Sequence, residues 1–389
     1  MTHHFDEIIE RRGTDSFKWQ HYGRDVLPLW VADMDFRSPE PVVRALRERA
    51  EHGVFGYAMA PDELREVLVA RLARLYGWQV PPEALVFLPG VVMGTNLAAH
   101  AVGGPGDGVL IQTPVYPPFL SIAPNTGRTP QSMELTRGEN GDYTIDYAAF
   151  DAAFTDRTRL FVLCNPHNPV GRVLRRDELE CLAEICLRHD TVICSDEIHC
   201  DLLFQGQQHL PIAALAPEIG DRTITLMAPS KTFNVAGLVC SFAVVTNRAL
   251  RKRFQAAHAG LVSLVNLMGY TAALAAYRDG QTWLDELLAY LEGNRDLLYE
   301  YVNTQLPGVR MSKPEGTYLA WLDCRGAGIQ DNPYAFFLKE ACVALNDGAT
   351  FGAGGEGFVR LNFGCPRAVL AEALECMRAA LARNDAPRA

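Results

Sequence analysis

Two short segments carry side chains that could act together in catalysis. Segment 230–234 (SKTFN) contains Lys231, an amine that can form an imine with a carbonyl compound. Segment 195–199 (SDEIH) contains Asp196, a carboxylate that can hold a protonated pyridine nitrogen. A lysine that forms an imine and an acidic partner for the pyridinium are the groups that a protein supplies to pyridoxal phosphate (PLP), whose ring is the electron sink. The two segments therefore predict a PLP site.

Each of these residues also has an ordinary structural interpretation. A single Ser-Lys pair is usually a surface lysine beside a turn. Segment 196–201 (DEIHCD) could form a metal cluster, but it follows an apolar strand and has no second histidine at ligand spacing, so we predict no metal site. The PLP interpretation is favoured because segment 165–171 (NPHNPVG) adds a third motif, and all three motifs follow predicted strands. Ligands bind beyond the carboxyl ends of strands in open α/β sheets.

The proposed chemistry assigns a task to each group. An ordinary lysine ammonium is a poor nucleophile, so Lys231 must be desolvated or placed near positive charge. Its freed amine could then remove the α-proton of an amino acid. Gly90, Val91 and Val92 follow an apolar strand and begin a predicted helix, whose N–H groups could bind the cofactor phosphate, and Ser230 could add a hydroxyl donor. An ordinary strand–helix turn has the same pattern, so the phosphate interpretation depends on the other motifs.

The composition limits the class of protein. A chain of 389 residues with 48% apolar residues can bury a large core and is expected to form two lobes. A net charge of −10 argues against nucleic acid or an anionic membrane as a partner, and no apolar run is long enough to span a bilayer. The polar N-terminal segment is not typical of a signal peptide. The ten cysteines form no C-x-x-C pair and several lie in apolar segments, so we expect reduced thiols and a cytoplasmic protein.

Alternating strand and helix signals after residue 85 predict the fold class. Buried strands are predicted at 110–112, 160–163, 192–194, 224–227 and 242–245, with helices at 91–101 and 177–188. Apolar strands with helical crossovers indicate an α/β fold, in which a large PLP-binding domain has a mostly parallel sheet covered by helices.

The two ends of the chain have a different pattern. Ser38 is expected to cap a helix that stops near Gly53, and a second helix is predicted at 61–76. Further helices are predicted at 281–305, near 333–345 and at the end of the chain, with apolar strand segments at 317–322 and 358–362. These elements predict a smaller α+β domain. We expect residues 1–45 to form an arm that contributes to the small domain, residues 46–285 to form the large domain, and residues 286–389 to form the small C-terminal domain.

The order and spacing of the three motifs resemble the class I/II aminotransferase family of PLP enzymes, which has the fold type I architecture. The resemblance covers essentially the whole chain and is closest to the cystathionine β-lyase and C–S lyase branch (MalY/PatB type). The segments that carry this closer resemblance are 31–36 (VADMDF), 52–57 (HGVFGY), 195–201 (SDEIHCD), 229–234 (PSKTFN) and 358–366 (FVRLNFGCP).

The resemblance implies roles for five further residues. Tyr116 matches the aromatic residue that stacks on the pyridine ring, and Asn168 matches the residue that bonds the phenolic oxygen of the cofactor; both would also contact the substrate. His199 falls where many aminotransferases have a tyrosine that contacts the same oxygen. Arg360 matches the arginine that binds the substrate α-carboxylate. Tyr57 resembles the tyrosine that reaches the phosphate of a neighbouring subunit, which implies a homodimer with a shared active site.

The resemblance also implies the reaction. Many aminotransferases have a phosphate-binding arginine where this chain has Val239, and often a serine at the position of Ala228, so the sequence departs from the general pattern here. The favoured function is α,β-elimination from cystathionine or a cysteine S-conjugate, which yields pyruvate, ammonia and a thiol. Transamination on the same fold is the alternative. A third hypothesis is a regulator-binding role on this fold, which the intact Lys231, Asp196 and Arg360 disfavour.

Overall fold

A central sheet and a smaller sheet organise the chain. A computed structural model describes residues 3–384. Within those residues the strands are β1 (Leu27–Pro28), β2 (Leu85–Leu88), β3 (Gly108–Thr113), β4 (Thr129–Glu134), β5 (Thr136–Arg137), β6 (Tyr143–Thr144), β7 (Thr158–Cys164), β8 (Val192–Asp196), β9 (Thr223–Met227), β10 (Ser241–Val244), β11 (Leu319–Asp323), β12 (Val343–Ala344), β13 (Asn346–Asp347) and β14 (Phe358–Asn362).

Helices surround both sheets. Over the same residues they are α1 (Phe17–Gln20), α2 (Glu40–His52), α3 (Asp62–Tyr76), α4 (Val91–Val102), α5 (Ile122–Thr126), α6 (Tyr147–Ala152), α7 (Arg176–Arg188), α8 (Pro217–Gly220), α9 (Pro229–Thr232), α10 (Arg248–His258), α11 (Leu267–Asp279), α12 (Gln281–Gln305), α13 (Pro333–Glu340) and α14 (Arg367–Asn384). Short 3₁₀ turns occur at Pro82–Ala84, Pro117–Phe119, Ile212–Ala214, Ala236–Leu238 and Gly348–Phe351.

The central sheet has seven strands in the order β2-β10-β9-β8-β7-β3-β4. Strand β10 is antiparallel to both of its neighbours, and the other pairs are parallel. Alternate side chains of β7 enter different cores: Val162 packs in the cluster that contains Leu97 of α4, and Phe161 packs with Leu182 of α7. Both faces of β7 are therefore buried, which explains why its sequence is a continuous run of apolar residues. The predicted α/β fold, with its mostly parallel sheet, is confirmed.

The smaller sheet has the order β11-β14-β13, and all its pairs are antiparallel. Strand β1 of the N-terminal segment pairs with β12, so this segment is hydrogen-bonded to the C-terminal part of the chain. The predicted boundary between residues 285 and 286 falls inside α12, a single helix. The limits of the three predicted domains stay predictions.

Two local predictions are wrong. The helix predicted near 333–345 ends at Glu340, because the chain turns into the short strands β12 and β13. Ser38 does not cap α2: the N-cap position is Pro39, and the Ser38 hydroxyl donates to the carbonyl of Asn234 at 2.9 Å instead. The other end of this helix is as predicted, since Gly53 takes the left-handed conformation with φ of 74°.

The described residues contain neither a membrane-spanning helix nor a cluster of metal ligands. Between residues 3 and 384, no helix combines the length and the apolar character needed to cross a membrane. Over the same range, no three His, Cys, Asp or Glu side chains come together as a metal site would require.

Candidate active site

The motifs meet at the carboxyl ends of the central strands. Asp196 ends β8 and lies between the ends of β7 and β9. Lys231 lies in α9, directly after β9. Asn168 follows β7, and Arg360 lies on β14 of the smaller sheet. A hydrogen bond of 3.0 Å from Nη1 of Arg360 to the side-chain oxygen of Asn168 joins the two sheets at this point. The structure thus brings together four residues that are far apart in sequence.

Lys231 is partly buried, and its Nζ donates a hydrogen bond of 2.6 Å to the carbonyl of Ala32. Desolvation lowers the pKa of Lys231 to about 8, and the nearby Arg360 guanidinium acts in the same direction, against the carboxylates of Asp33 and Asp196. At a pKa of about 8, roughly a tenth of the lysine is free amine at pH 7, far more than for an ordinary lysine. It can therefore act as a nucleophile or as a base.

Asp196 is buried at the end of its strand, and its carboxylate accepts the N–H of Ile198 at 3.0 Å. Burial raises its pKa to about 7; the Ile198 hydrogen bond lowers it, the adjacent Glu197 raises it, and Lys231 lowers it. Behind it, the buried Glu197 carboxylate contacts His209 at 2.8 Å. Asp196 has no ion-pair partner among residues 3–384. A cation that bound beside it would therefore stabilise its ionised form.

Arg360 is a buried guanidinium held by neutral acceptors. Its Nη2 donates to the carbonyl of Trp30 at 3.0 Å and to the side chain of Asn346 at 2.6 Å, and its Nε is buried without a hydrogen-bond partner. No acid within the described part of the chain forms an ion pair with it. Desolvation lowers its pKa to about 10. A buried guanidinium with a free donor and no counter-charge is suited to an anionic ligand such as a carboxylate.

Tyr116 and His199 border the same space. The backbone N–H of Tyr116 donates to the carbonyl of Asn168 at 3.0 Å. Burial raises the pKa of Tyr116; Arg360 lowers it and Asp196 raises it, so its hydroxyl lies near both charges. His199 is buried, and its Nδ1 has no hydrogen-bond partner. Desolvation holds its pKa well below the usual range, with Lys231 and Arg360 acting in the same direction, so His199 is a neutral imidazole.

The predicted phosphate site lies at the N-terminus of α4. Gly90 is the N-cap, and an added Cβ there would meet only the end of the Met93 side chain, at 3.7 Å. Val91 is buried, and Val92 is 38% exposed. Strands β2 and β9 both pair with β10, so the start of α4 and Ser230 in α9 lie at the same edge of the sheet. The first N–H groups of a helix have no intrahelical acceptor and are available to an anion.

Tyr57 does not join the other predicted residues within one chain. Its side chain is fully exposed, as Phe55 and Met59 largely are. It lines a cavity of 490 Å³ with Phe55 and residues 263–268, on the surface of the protein. Such a patch of exposed apolar side chains is typical of an interaction surface.

Sequence reasoning missed several groups that complete the site. The carbonyls of Trp30 and Ala32 bind Arg360 and Lys231, and Asn346 contributes a further acceptor to Arg360. The hydroxyl of Tyr318 donates to the Ala32 carbonyl at 2.9 Å. Backbone carbonyls leave no trace in a sequence. Segment 31–36 was nevertheless among the motifs that carry the family resemblance, which indicated a role in the site, although its residue types suggested no chemistry.

Comparisons with known proteins agree with this arrangement. The family model described as aminotransferase class I and II matches residues 24–377. "Cystathionine beta-lyase PatB" of Bacillus subtilis (strain 168) is 42% identical over 386 residues, which cover 97% of this chain and 99% of PatB. The crystal structure of cystalysin from Treponema denticola, which contains PLP, has a TM-score of 0.95 at 32% identity and covers 98% of this chain and 100% of that one. The PLP-bound C–S lyase from Staphylococcus hominis has a TM-score of 0.93 at 35% identity, with 99% and 100% covered.

Proposed function

The chain belongs to the aminotransferase class I and II family, and we propose that it is a PLP-dependent carbon–sulfur β-lyase that acts on cystathionine or a cysteine S-conjugate. The observation that carries the choice of reaction is the similarity to PatB, which extends over nearly the full length of both chains. The family predicted from the three motifs is confirmed by the match of its model.

The residues of the site fit PLP. Asp196 is a buried carboxylate with no ion-pair partner in the described part of the chain, and a pyridinium nitrogen would supply such a partner. Gly90, Val91 and Val92 form the start of α4, whose N–H groups can bind the phosphate. Gly90 has no side chain that would block the approach of the phosphate. Lys231 has the lowered pKa that attachment to the cofactor requires. When bound, PLP accepts the electron pair that is left when an amino acid loses its α-proton.

Each remaining residue then orients the substrate or moves a proton. Arg360 binds the α-carboxylate, because its unpartnered Nε and its Nη atoms can form a bidentate pair. Lys231 removes the α-proton as a general base. Tyr116 would cover the ring of bound PLP, and Asn168 and His199 would hold its phenolic oxygen. The neutral His199 adds no positive charge beside Lys231 and Arg360. The carbon–sulfur bond breaks with its electron pair on sulfur, the thiol leaves, and water converts the remaining fragment to pyruvate and ammonia.

We also propose that the active form is a homodimer. The fully exposed Tyr57 and the exposed Phe55, Met59, Leu261 and Leu264 support this, because they leave apolar surface open to solvent in a single chain. Tyr57 would reach the phosphate site of the partner subunit. The cytoplasm is the proposed compartment, and it is supported by ten cysteines that are all free thiols.

Incubation with cystathionine tests the proposed reaction. The purified protein, loaded with PLP, should form pyruvate and thiol in a one-to-one ratio over many turnovers, with no keto acid added. A β-lyase releases the nitrogen as ammonia in each cycle and needs no acceptor. Alanine has no leaving group on its β-carbon and should give only slow, single-turnover transfer of its nitrogen.

The family match also keeps transamination as a second candidate, since the matching model is described by that activity. An aminotransferase would retain the nitrogen and stop after one equivalent per site. If product formation stops at that point and resumes when a keto acid is added, the transaminase proposal replaces the lyase proposal.

A further inference from the structure

The N-terminal segment 30–38 is tied directly to the active site by Asn234. The side-chain oxygen of Asn234 accepts the N–H of Met34 at 3.0 Å, and its Nδ2 donates to the carbonyls of Met34 at 2.9 Å and of Phe36 at 2.8 Å. Asn234 ends the lysine motif and takes a left-handed conformation with φ of 54°. Ser38 adds a hydrogen bond to its carbonyl. The segments 31–36 and 229–234 are therefore partners in one hydrogen-bonded unit.

This unit fixes the carbonyl that faces Lys231. Asn362 donates through Nδ2 to the carbonyls of Val31 and Asp33, one on each side of Ala32. Asn234 fixes the chain immediately afterwards, at Met34. The Ala32 carbonyl thus has little freedom to turn, and it accepts Nζ of Lys231 at 2.6 Å. In this structure it is the free amine of Lys231 that makes the hydrogen bond.

We propose that Asn234 is a positioning residue that holds the Ala32 carbonyl against the free amine of Lys231 and so controls where Lys231 delivers the proton it has taken from the substrate. This inference rests on the proposed lyase function. The Cα–H bond breaks and the proton passes to Lys231; the C–S bond then breaks with its electron pair on sulfur, and the Lys231 ammonium protonates that sulfur to give a thiol. If Lys231 did not deliver this proton to sulfur, the nitrogen would instead be transferred, as in the half-reaction of an aminotransferase, and the cycle would stop.

The geometry explains why an acceptor at this place matters. An ammonium that bonds to a fixed carbonyl has one of its three N–H groups committed, which limits the directions of the other two. The hydrogen bond also favours the charged form and slows return of the proton. Without Asn234 the segment 33–36 loses three hydrogen bonds, and the position of the Ala32 carbonyl then depends on the bonds from Asn362 to the two flanking residues and on the Tyr318 hydroxyl.

The variants Asn234→Gly and Asn303→Ala provide a matched test. Glycine adopts the left-handed conformation of residue 234 without strain and adds no charge. Asn303 makes the same kind of contacts elsewhere: its Nδ2 donates to the carbonyls of Tyr299 and Met311, and its oxygen accepts the N–H of Met311 at 3.2 Å. Alanine suits its helical position. The two variants remove equivalent hydrogen bonds, but only one of them touches the active site.

Two measurements use the protein without cofactor. In Asn234→Gly, the amide hydrogens of residues 30–38 should exchange faster. The pKa of Lys231, obtained from the pH dependence of labelling by an amine-specific reagent, should fall by about one unit, because the ammonium loses its acceptor. With PLP bound, the number of eliminations per nitrogen transferred to the cofactor should fall about tenfold, the effect expected of a misplaced proton donor. Asn303→Ala should leave all three quantities as in the wild type.

Faster exchange in Asn234→Gly with an unchanged Lys231 pKa and an unchanged ratio would overturn the proposal, because the segment would then be loosened without any effect on the lysine. If Asn234→Gly does not fold, Ser38→Ala should have the same two effects to a smaller extent: faster exchange of the amide hydrogens of residues 30–38 and a lower pKa of Lys231. If Ser38→Ala changes neither the exchange rates nor the pKa, the proposal is also overturned. A failure of the lyase function is a separate result. It would appear as single-turnover behaviour of the wild type, while the exchange and labelling measurements still decide the role of Asn234.

Discussion

Two groups of charged side chains, one in the N-terminal arm and one in the active site, are arranged in opposite ways. In the arm, Lys18 contacts Asp35 at 2.7 Å and Arg11 contacts Asp33 at 2.8 Å, so every charge has a partner. In the active site, Lys231, Asp196 and Arg360 form no ion pair with any residue in the range 3–384. A buried charge that has a partner needs no ligand to balance it, whereas a buried charge without a partner is stabilised when a ligand of opposite charge binds.

The two buried aspartates show the difference most clearly. Asp35 is 4% exposed and Asp196 is 5% exposed, so burial acts on both in the same direction. Burial alone would raise the pKa of Asp35, but Lys18, followed by Trp19 and Arg11, outweighs it and holds that pKa below its usual value. Without such partners, burial raises the pKa of Asp196 to about 7. Burial by itself thus does not identify a functional group; burial without a partner does.

The largest effect is expected at the unpaired lysine. Lys231→Ala should reduce turnover on cystathionine about 10⁴-fold, since it removes the general base. Borohydride reduction of the wild-type holoenzyme should attach the cofactor to Lys231, as peptide mapping can establish. Lys252→Ala, on an exposed face of α10, is the control and should retain activity. Attachment of the cofactor to any other lysine would contradict the assignment.

Replacing a charged residue by methionine should affect the free energy of unfolding differently in the two groups. Lys18→Met leaves Asp35 and Asp33 short of a cation and should lower the free energy of unfolding by about 3 kcal/mol, the cost of breaking a buried pair. Arg360→Met removes a buried charge that has no ionic partner, so the protein without cofactor should be unchanged or more stable. Chemical denaturation of both variants measures this. Equal destabilisation would show that Arg360 is as structural as Lys18.

The sequence predicted the part of the site at the central sheet better than the part in the N-terminal arm. Lys231 and Asp196 follow apolar strands, and their positions at the sheet edge follow from topology. The arm is different, because its carbonyls at Trp30 and Ala32 act through the backbone and their position depends on Asn234 and Asn362. Such contacts join residues about 200 or more positions apart in the chain, and no local pattern encodes them. The roles of Tyr57 and of the other site residues stay predictions.

A smaller effect is expected when the unpaired guanidinium keeps its charge but loses its shape. Arg360→Lys cannot form a bidentate pair with a carboxylate, so amino-acid binding should weaken by about 2 kcal/mol, or roughly thirtyfold in KM. The absorbance of the enzyme without substrate should not change, because Arg360 does not hold the cofactor. Unchanged substrate kinetics would mean that another residue binds the carboxylate.

The smallest effect tests the unpaired aspartate through pH. Because the pKa of Asp196 is about 7 in the folded protein without cofactor, above the value near 4 of an unfolded aspartate, the folded state binds more protons between these values. Its contribution to stability is therefore fully present below pH 4 and is lost as the pH rises towards 7, by about 1.4 kcal/mol per pH unit at most. Asp196→Asn should remove this slope, so the wild type should lose stability relative to the variant between pH 5 and pH 7.

PLP should reverse the order of stability at pH 7, since the pyridinium would pair with the ionised carboxylate of the wild type and would find only an amide in the variant. Denaturation curves of both proteins, with and without PLP, measure the two differences. Parallel pH profiles would mean that Asp196 is already ionised and paired, as Asp35 is, and the contrast between the two groups of charges would not hold.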